Sequence, residues 1–127
     1  MNKKRPVNLD IGSIKLPITS YVSILHRLSG VFLFAATACI LWAFDASLES
    51  QQSFQSLKEC LTSPLAQAIL WLISVAFAYH IIAGIRHLVM DFGVGEDSYE
   101  SGRRSAWLAV AAIVIVVLLI TGWVFLW

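Results

Sequence analysis

Charge is what this 127-residue chain has little of. Asp, Glu, Lys and Arg make up 13% of it, against about 25% in an ordinary soluble domain. Apolar residues take their place at 58%, a composition that points to a bilayer protein. No Lys/Arg-rich stretch with interleaved aromatics is present, which argues against a nucleic-acid partner. Cysteine is scarce too: Cys39 lies in an apolar run and Cys60 in a polar connection. With no CxxC and no Cys/His spacing, they read as unpaired small side chains. The sequence carries no flavin or nucleotide fingerprint and no cysteine set for an iron–sulfur cluster. The basic start, MNKKRPVNLDIGSIKLP, lacks the short apolar core and cleavage site of a signal peptide. The first apolar segment is therefore expected to stay as an anchor.

What is there is three long apolar runs. They extend from about Tyr21 to Phe44, Leu65 to Met90 and Ala106 to Trp127. Each approaches or exceeds the roughly 20 residues needed to cross a hydrocarbon core. Backbone polar groups in lipid must be paired within the segment, so the spans are helices. The expected fold is an all-α membrane protein with three transmembrane helices forming one domain over residues 1–127. The polar runs 45–64 and 91–105 read as loops, and Pro17 and Pro64 stand just ahead of the first two spans, where proline opens a helix.

Basic residues orient the chain. Lys3, Lys4, Arg5, Lys15 and Arg27 precede or enter the first span, and Arg86, Arg103 and Arg104 flank the second loop. Lys58 stands alone in the first loop. The positive-inside rule then puts the N-terminus in the cytoplasm and the C-terminus at the outer face. Trp42, Trp71, Trp107, Trp123 and Trp127 lie towards span ends, as an interfacial aromatic belt requires.

Ionisable residues inside a bilayer cost about 2.5–3.5 kcal/mol each on insertion scales, so those present need reasons. On the first span Ser23, His26, Arg27 and Gly30 share one helical face. Arg27 can snorkel to headgroups; equally, a hydroxyl, an imidazole and a guanidinium on one stripe suit a ligand bearing a carbonyl or carboxylate. On the second span His80, Gly84, His87 and Asp91 form another stripe, flanked by Ala76 and Ala83. His80 lies roughly 9–15 Å in from the boundary at 1.5 Å per residue. A lone membrane histidine often just pairs across helices. Gly84, one turn on, removes a side chain that would obstruct a flat macrocycle beside the imidazole, so His80 reads as an axial haem ligand. His87 and Asp91 read as a propionate or proton-relay neighbourhood, or as a surface ion pair. Arg86 projects about 120° from His80 on a helical wheel, towards headgroups or a partner protein. No histidine on another span matches the depth of His80, so a second histidine ligand must come from another chain.

These residues also carry a resemblance. Ser23-Ile24-Leu25-His26-Arg27-Leu28-Ser29-Gly30 resembles the SIxHRxSG signature of the succinate dehydrogenase cytochrome b large subunit. His80-x-x-x-Gly84-x-Arg86-His87-x-x-x-Asp91 is similar to that family's second signature. Arg5-Pro6, Asn8-Leu9 and Pro17 also fit, and the resemblance covers nearly the whole chain.

The resemblance implies a membrane-anchor subunit of respiratory complex II. A small membrane-anchor subunit, an iron–sulfur subunit and a flavoprotein subunit would be its partners. Succinate would be oxidised on the flavoprotein, and ubiquinone reduced where the membrane subunits meet the iron–sulfur subunit. His80 would be the axial ligand of a haem b whose other ligand comes from the small anchor subunit. Ser23 and Arg27 would bind quinone, His26, Arg27 and His87 would lie near the haem propionates, and Gly84 would pack against the haem. Proton delivery by Asp91 is an expectation of ours, beyond the motif. The location implied is a bacterial inner membrane, ahead of the mitochondrial one. Two rivals stand beside this reading. One is a structural anchor without haem. The other is a channel component, which would need a polar stripe through the apolar half between His80 and Leu65.

Overall fold

The computed structural model describes residues 14–95 and 97–126. The basic residues Lys3, Lys4 and Arg5, the motif residues Pro6, Asn8 and Leu9, and Trp127 lie outside them. Four helices follow in order: α1 (Ile18–Glu49), α2 (Gln51–Leu61), α3 (Pro64–Asp91) and α4 (Tyr99–Leu126). No strand occurs among the described residues. α1, α3 and α4 are long and apolar enough to cross a membrane. At 1.5 Å per residue the 28-residue α3 and α4 are roughly 42 Å long, beyond a hydrocarbon core of about 30 Å.

Local chemistry sets the helix ends. Pro17 caps α1 in extended conformation. Pro64 opens α3 behind Ser63, whose side chain accepts from the Ala66 amide at 3.3 Å. α3 stops in a Schellman turn: the Gly93 amide donates to Met90 O at 2.8 Å and that of Val94 to Val89 O at 3.3 Å. Gly93 holds φ at 78°, which only glycine adopts without strain.

Two boundaries differ from expectation. The run 45–64 is not a loop throughout, because it contains α2. Ser50 caps that helix by accepting from the Ser53 amide at 3.0 Å, and Phe54, Leu57 and Leu61 recur at helical spacing. The helix is too short and too polar to register as a span. The helix of the third span, α4, begins at Tyr99 rather than at Ala106, because the Ser98 hydroxyl accepts from the Ser101 amide at 3.2 Å and starts it early.

α3 runs antiparallel to α1 and α4. One end of the bundle gathers the start of α1, the end of α3 and the start of α4. The helices meet through small residues: Ala83 and Ala106 are fully buried in one cluster with Val22, and Ala109 is buried one turn on from Ala106. Small side chains let helix backbones approach in lipid, where no hydrophobic force drives them together. Tyr79 Oη donates to Val22 O at 2.9 Å and ties α3 to α1; Trp71 Nε1 donates to Thr121 Oγ1 at 2.9 Å and ties α3 to α4. Large apolar side chains such as Phe34, Leu118 and Leu119 point outwards. That inversion of a soluble core suits a lipid solvent.

Candidate functional site

The two polar stripes face each other across the α1–α3 interface. His26 reaches from α1 towards Gly84 on α3, and His80 reaches from α3 towards Gly30 on α1. A Cβ at Gly30 would lie 3.1 Å from His80 Cε1, and one at Gly84 would lie 3.2 Å from His26 Nε2. Each imidazole thus occupies the notch left by the opposite helix's glycine. The rings of His26 and His80 stack at 4.2 Å with 16° between their planes. The ring of His87 lies 5.2 Å from that of His26, tilted by 56°. The notch at Gly84, expected to leave room for a flat macrocycle, is occupied by the His26 imidazole.

The interlock makes a direct prediction. Gly84→Leu is expected to force His26 out of its notch and cost about 1–3 kcal/mol, as overpacking does. Gly122→Leu is the control, since an added Cβ there meets only Leu126 Cδ1, at 3.9 Å. It should stay within about 0.5 kcal/mol of the wild type. Thermal melting of the purified protein in detergent reads both.

His80 is held on its Nδ1 side. Ser29 Oγ lies 3.0 Å from Nδ1 and His26 O lies 3.2 Å from it, while Ser29 Oγ donates to His26 O at 2.7 Å. On the side of His80 towards the end of α1 and the start of α3, a mostly apolar groove of ≈ 480 Å³ opens, lined among others by Gly30, Leu33, Phe34, Thr37 and Phe77.

A cleft of ≈ 420 Å³ lies at the end of the bundle where α4 starts. Ser23, Arg27, Arg86 and His87 line it, with Thr19 and Met90. Arg27 is exposed and Ser23 half-buried, so a hydroxyl and a guanidinium address the same space. The structure therefore brings Ser23, Arg27 and His87 together and sets His26 and His80 behind them. Asp91 is exposed, and it does not line the cleft. The anticipated His87–Asp91 couple does not form among the described residues, because the His87 ring turns to His26 instead.

Arg86 departs from expectation. It is buried and points to α4, where Nε donates to Ser105 Oγ and Nη2 to Gly102 O, both at 3.2 Å. The direction read from the helical wheel was right, but α4 stands there, and Gly102 leaves its carbonyl open to a guanidinium. Sequence reasoning also gave Ser29 no role of its own. Its position three residues after His26 and beside Gly30 was the available signal.

Among the described residues no three His, Cys, Asp or Glu side chains converge as a metal cage. A metal inside a macrocycle asks less, one axial donor from this chain. The donor set fits such a group: a single imidazole, held on one nitrogen, beside a mostly apolar groove.

Comparison with known proteins adds the wider context. A family model described as succinate dehydrogenase/fumarate reductase transmembrane subunit matches residues 1–120. A succinate dehydrogenase cytochrome b556 subunit of Coxiella burnetii is 35% identical over 125 residues, covering 98% of this chain and 99% of the relative. The subunit of that name from Rickettsia bellii is 35% identical over 117 residues, with 92% and 90% covered. That from Paracoccus denitrificans is 32% identical over 114 residues, with 90% and 88% covered.

Proposed function

The chain belongs to the succinate dehydrogenase/fumarate reductase transmembrane subunit family, and from that membership we propose that it is the haem b-binding anchor subunit of a succinate:quinone oxidoreductase, forming part of the quinone site. The observation that carries this reading is the cleft in which Ser23 and Arg27 stand together, backed by the stacked His26 and His80. The names of the relatives, cytochrome b556 subunits, support a b-type haem.

In this reading His80 would hold the haem iron through Nε2, since Nδ1 is occupied by Ser29 and the His26 carbonyl. The small anchor subunit would supply a second ligand. The haem, when bound, provides a one-electron redox centre within the membrane. His26, Arg27 and His87 sit on the side of His80 nearer the boundary, where cationic or hydrogen-bonding side chains suit propionates.

Quinone enters the cleft with one oxygen towards Ser23 Oγ, which donates to it. Arg27 opposes the negative charge that develops on the quinone as electrons arrive. A positive donor in a low-dielectric site stabilises such charge. Two electrons come from succinate, whose oxidation to fumarate also releases two protons, and ubiquinone takes up two electrons and two protons to become quinol. Exposed Asp91, at the end of α3, would pass protons in from water. The dehydrogenation itself belongs to the flavoprotein, and the electrons reach the cleft through the iron–sulfur subunit.

The cleft end faces the cytoplasm of a bacterium in this assignment. Lys15, Arg27, Arg86, Arg103 and Arg104 all lie at that end, while Lys58 lies on α2 at the other.

The test is the complex purified through a tag on this chain. It should show one b-type haem in the reduced-minus-oxidised spectrum and reduce ubiquinone with succinate. A complex with full quinone reductase activity and no haem in its membrane portion would instead establish the structural anchor.

A further inference from the structure

We propose that Ser29, acting with the backbone carbonyl of His26, is a positioning residue that fixes His80 as the Nδ1–H tautomer and so reserves Nε2 for coordination. The argument rests on which atoms have protons to give. Three contacts form a triangle: Ser29 Oγ to His26 O at 2.7 Å, Ser29 Oγ to His80 Nδ1 at 3.0 Å, and His80 Nδ1 to His26 O at 3.2 Å. A carbonyl oxygen only accepts, and a serine hydroxyl has one proton, here donated to that carbonyl. The only proton left to serve the other two sides is one on Nδ1, shared between Ser29 Oγ and His26 O. Were Nδ1 unprotonated, its lone pair would face the carbonyl lone pairs at 3.2 Å with nothing between them. The geometry therefore selects one of the two neutral imidazoles. Its remaining lone pair is on Nε2.

Other contacts fix the ring's plane. Gly30 leaves a notch in which His80 Cε1 sits, and the His26 ring stacks on one face. The groups facing His80 from α1 are thus Ser29, Gly30 and His26, none of them an acid. Arg27 and His87 lie farther towards the cleft. Among the described residues no carboxylate competes with the carbonyl for the Nδ1 proton.

A hydrogen bond from Nδ1–H raises the basicity of the coordinating nitrogen and orients it. A more basic ligand favours the oxidised metal. The inference rests on the reading of His80 as a haem ligand, and its test separates the two. In the assembled complex, Ser29→Ala removes one acceptor of the Nδ1 proton. The ratio of reduced to oxidised haem at a fixed ambient potential should rise about threefold, and Ser29→Thr, which keeps the hydroxyl, should restore the wild-type ratio. An unchanged ratio in Ser29→Ala overturns the proposal. The second arm needs no haem: a ¹⁵N spectrum of the complex labelled at histidine, with the His80 signals assigned by their loss in His80→Ala. A protonated Nδ1 and unprotonated Nε2 support the lock even if the wild-type complex proves colourless, in which case the haem reading alone fails. A proton on Nε2 with Nδ1 bare overturns the lock.

Discussion

Replacing His80 by alanine is expected to strip the b-haem absorbance from the purified complex, lowering haem content by at least about tenfold. Loss of a partner that merely orients a ligand already costs 10- to 100-fold in affinity, and here the ligand itself is removed. No side chain can take its place: His26 is directed into the notch of Gly84, and His87 lies beyond it towards the cleft. The small anchor subunit would retain one ligand, too little to hold the group tightly. Succinate oxidation with a soluble dye should persist, because in the proposed assignment that chemistry would lie on the flavoprotein. The structural-anchor reading expects the opposite, an unaltered visible spectrum. The variant opens a cavity opposite Gly30, so assembly is checked by co-purification of the partner subunits. An assembled His80→Ala complex with full haem would end the ligand assignment.

Arg27→Ala should have the other large effect, on a different readout. Removing one donor that serves developing charge lowers turnover by about 10²–10³ in well-studied sites. Succinate-driven quinone reduction is expected to fall by that amount while dye reduction continues. Haem content should change far less than in His80→Ala. Arg27→Lys should recover part of the rate, because it restores a positive charge but not the planar fork of donors. Equal loss of dye and quinone activities would mean that Arg27 holds the complex together rather than serving the cleft. Arg86 also lines that cleft, yet its Nε and one terminal nitrogen donate to α4. Arg27, exposed on α1, has no such anchor among the hydrogen bonds of the described residues. That difference makes Arg27 the guanidinium free to follow a ligand.

The spans were legible in the sequence because the bilayer imposes them: a long apolar run has one stable form there, and Pro64 marks its start. The facing stripes were legible as well, since Ser23, His26, Arg27 and Gly30 repeat at helical spacing, as do His80, Gly84 and His87. What spacing could not supply was the partner across the interface. A helical wheel says which way Arg86 points, but not that Gly102 and Ser105 stand there to receive it. The same limit hid Ser29, whose role exists only because His80 arrives from another helix. It also paired His87 with Asp91, neighbours on one helix, when the His26 ring on α1 offered the closer surface. α2 escaped for another reason: eleven mixed residues between two long apolar runs carry too little hydropathy to stand out, and the cap at Ser50 is a local device.

The paired notches at Gly30 and Gly84 bear on how the site can move. Axial sliding of α1 past α3 by one helical turn, about 5.4 Å, would carry each imidazole from its glycine to a residue with a side chain. Piston-like displacement is therefore barred at this pair of helices. Any signal between the cleft and the membrane interior must travel by rotation of side chains or by charge, over a scaffold whose vertical register stays put.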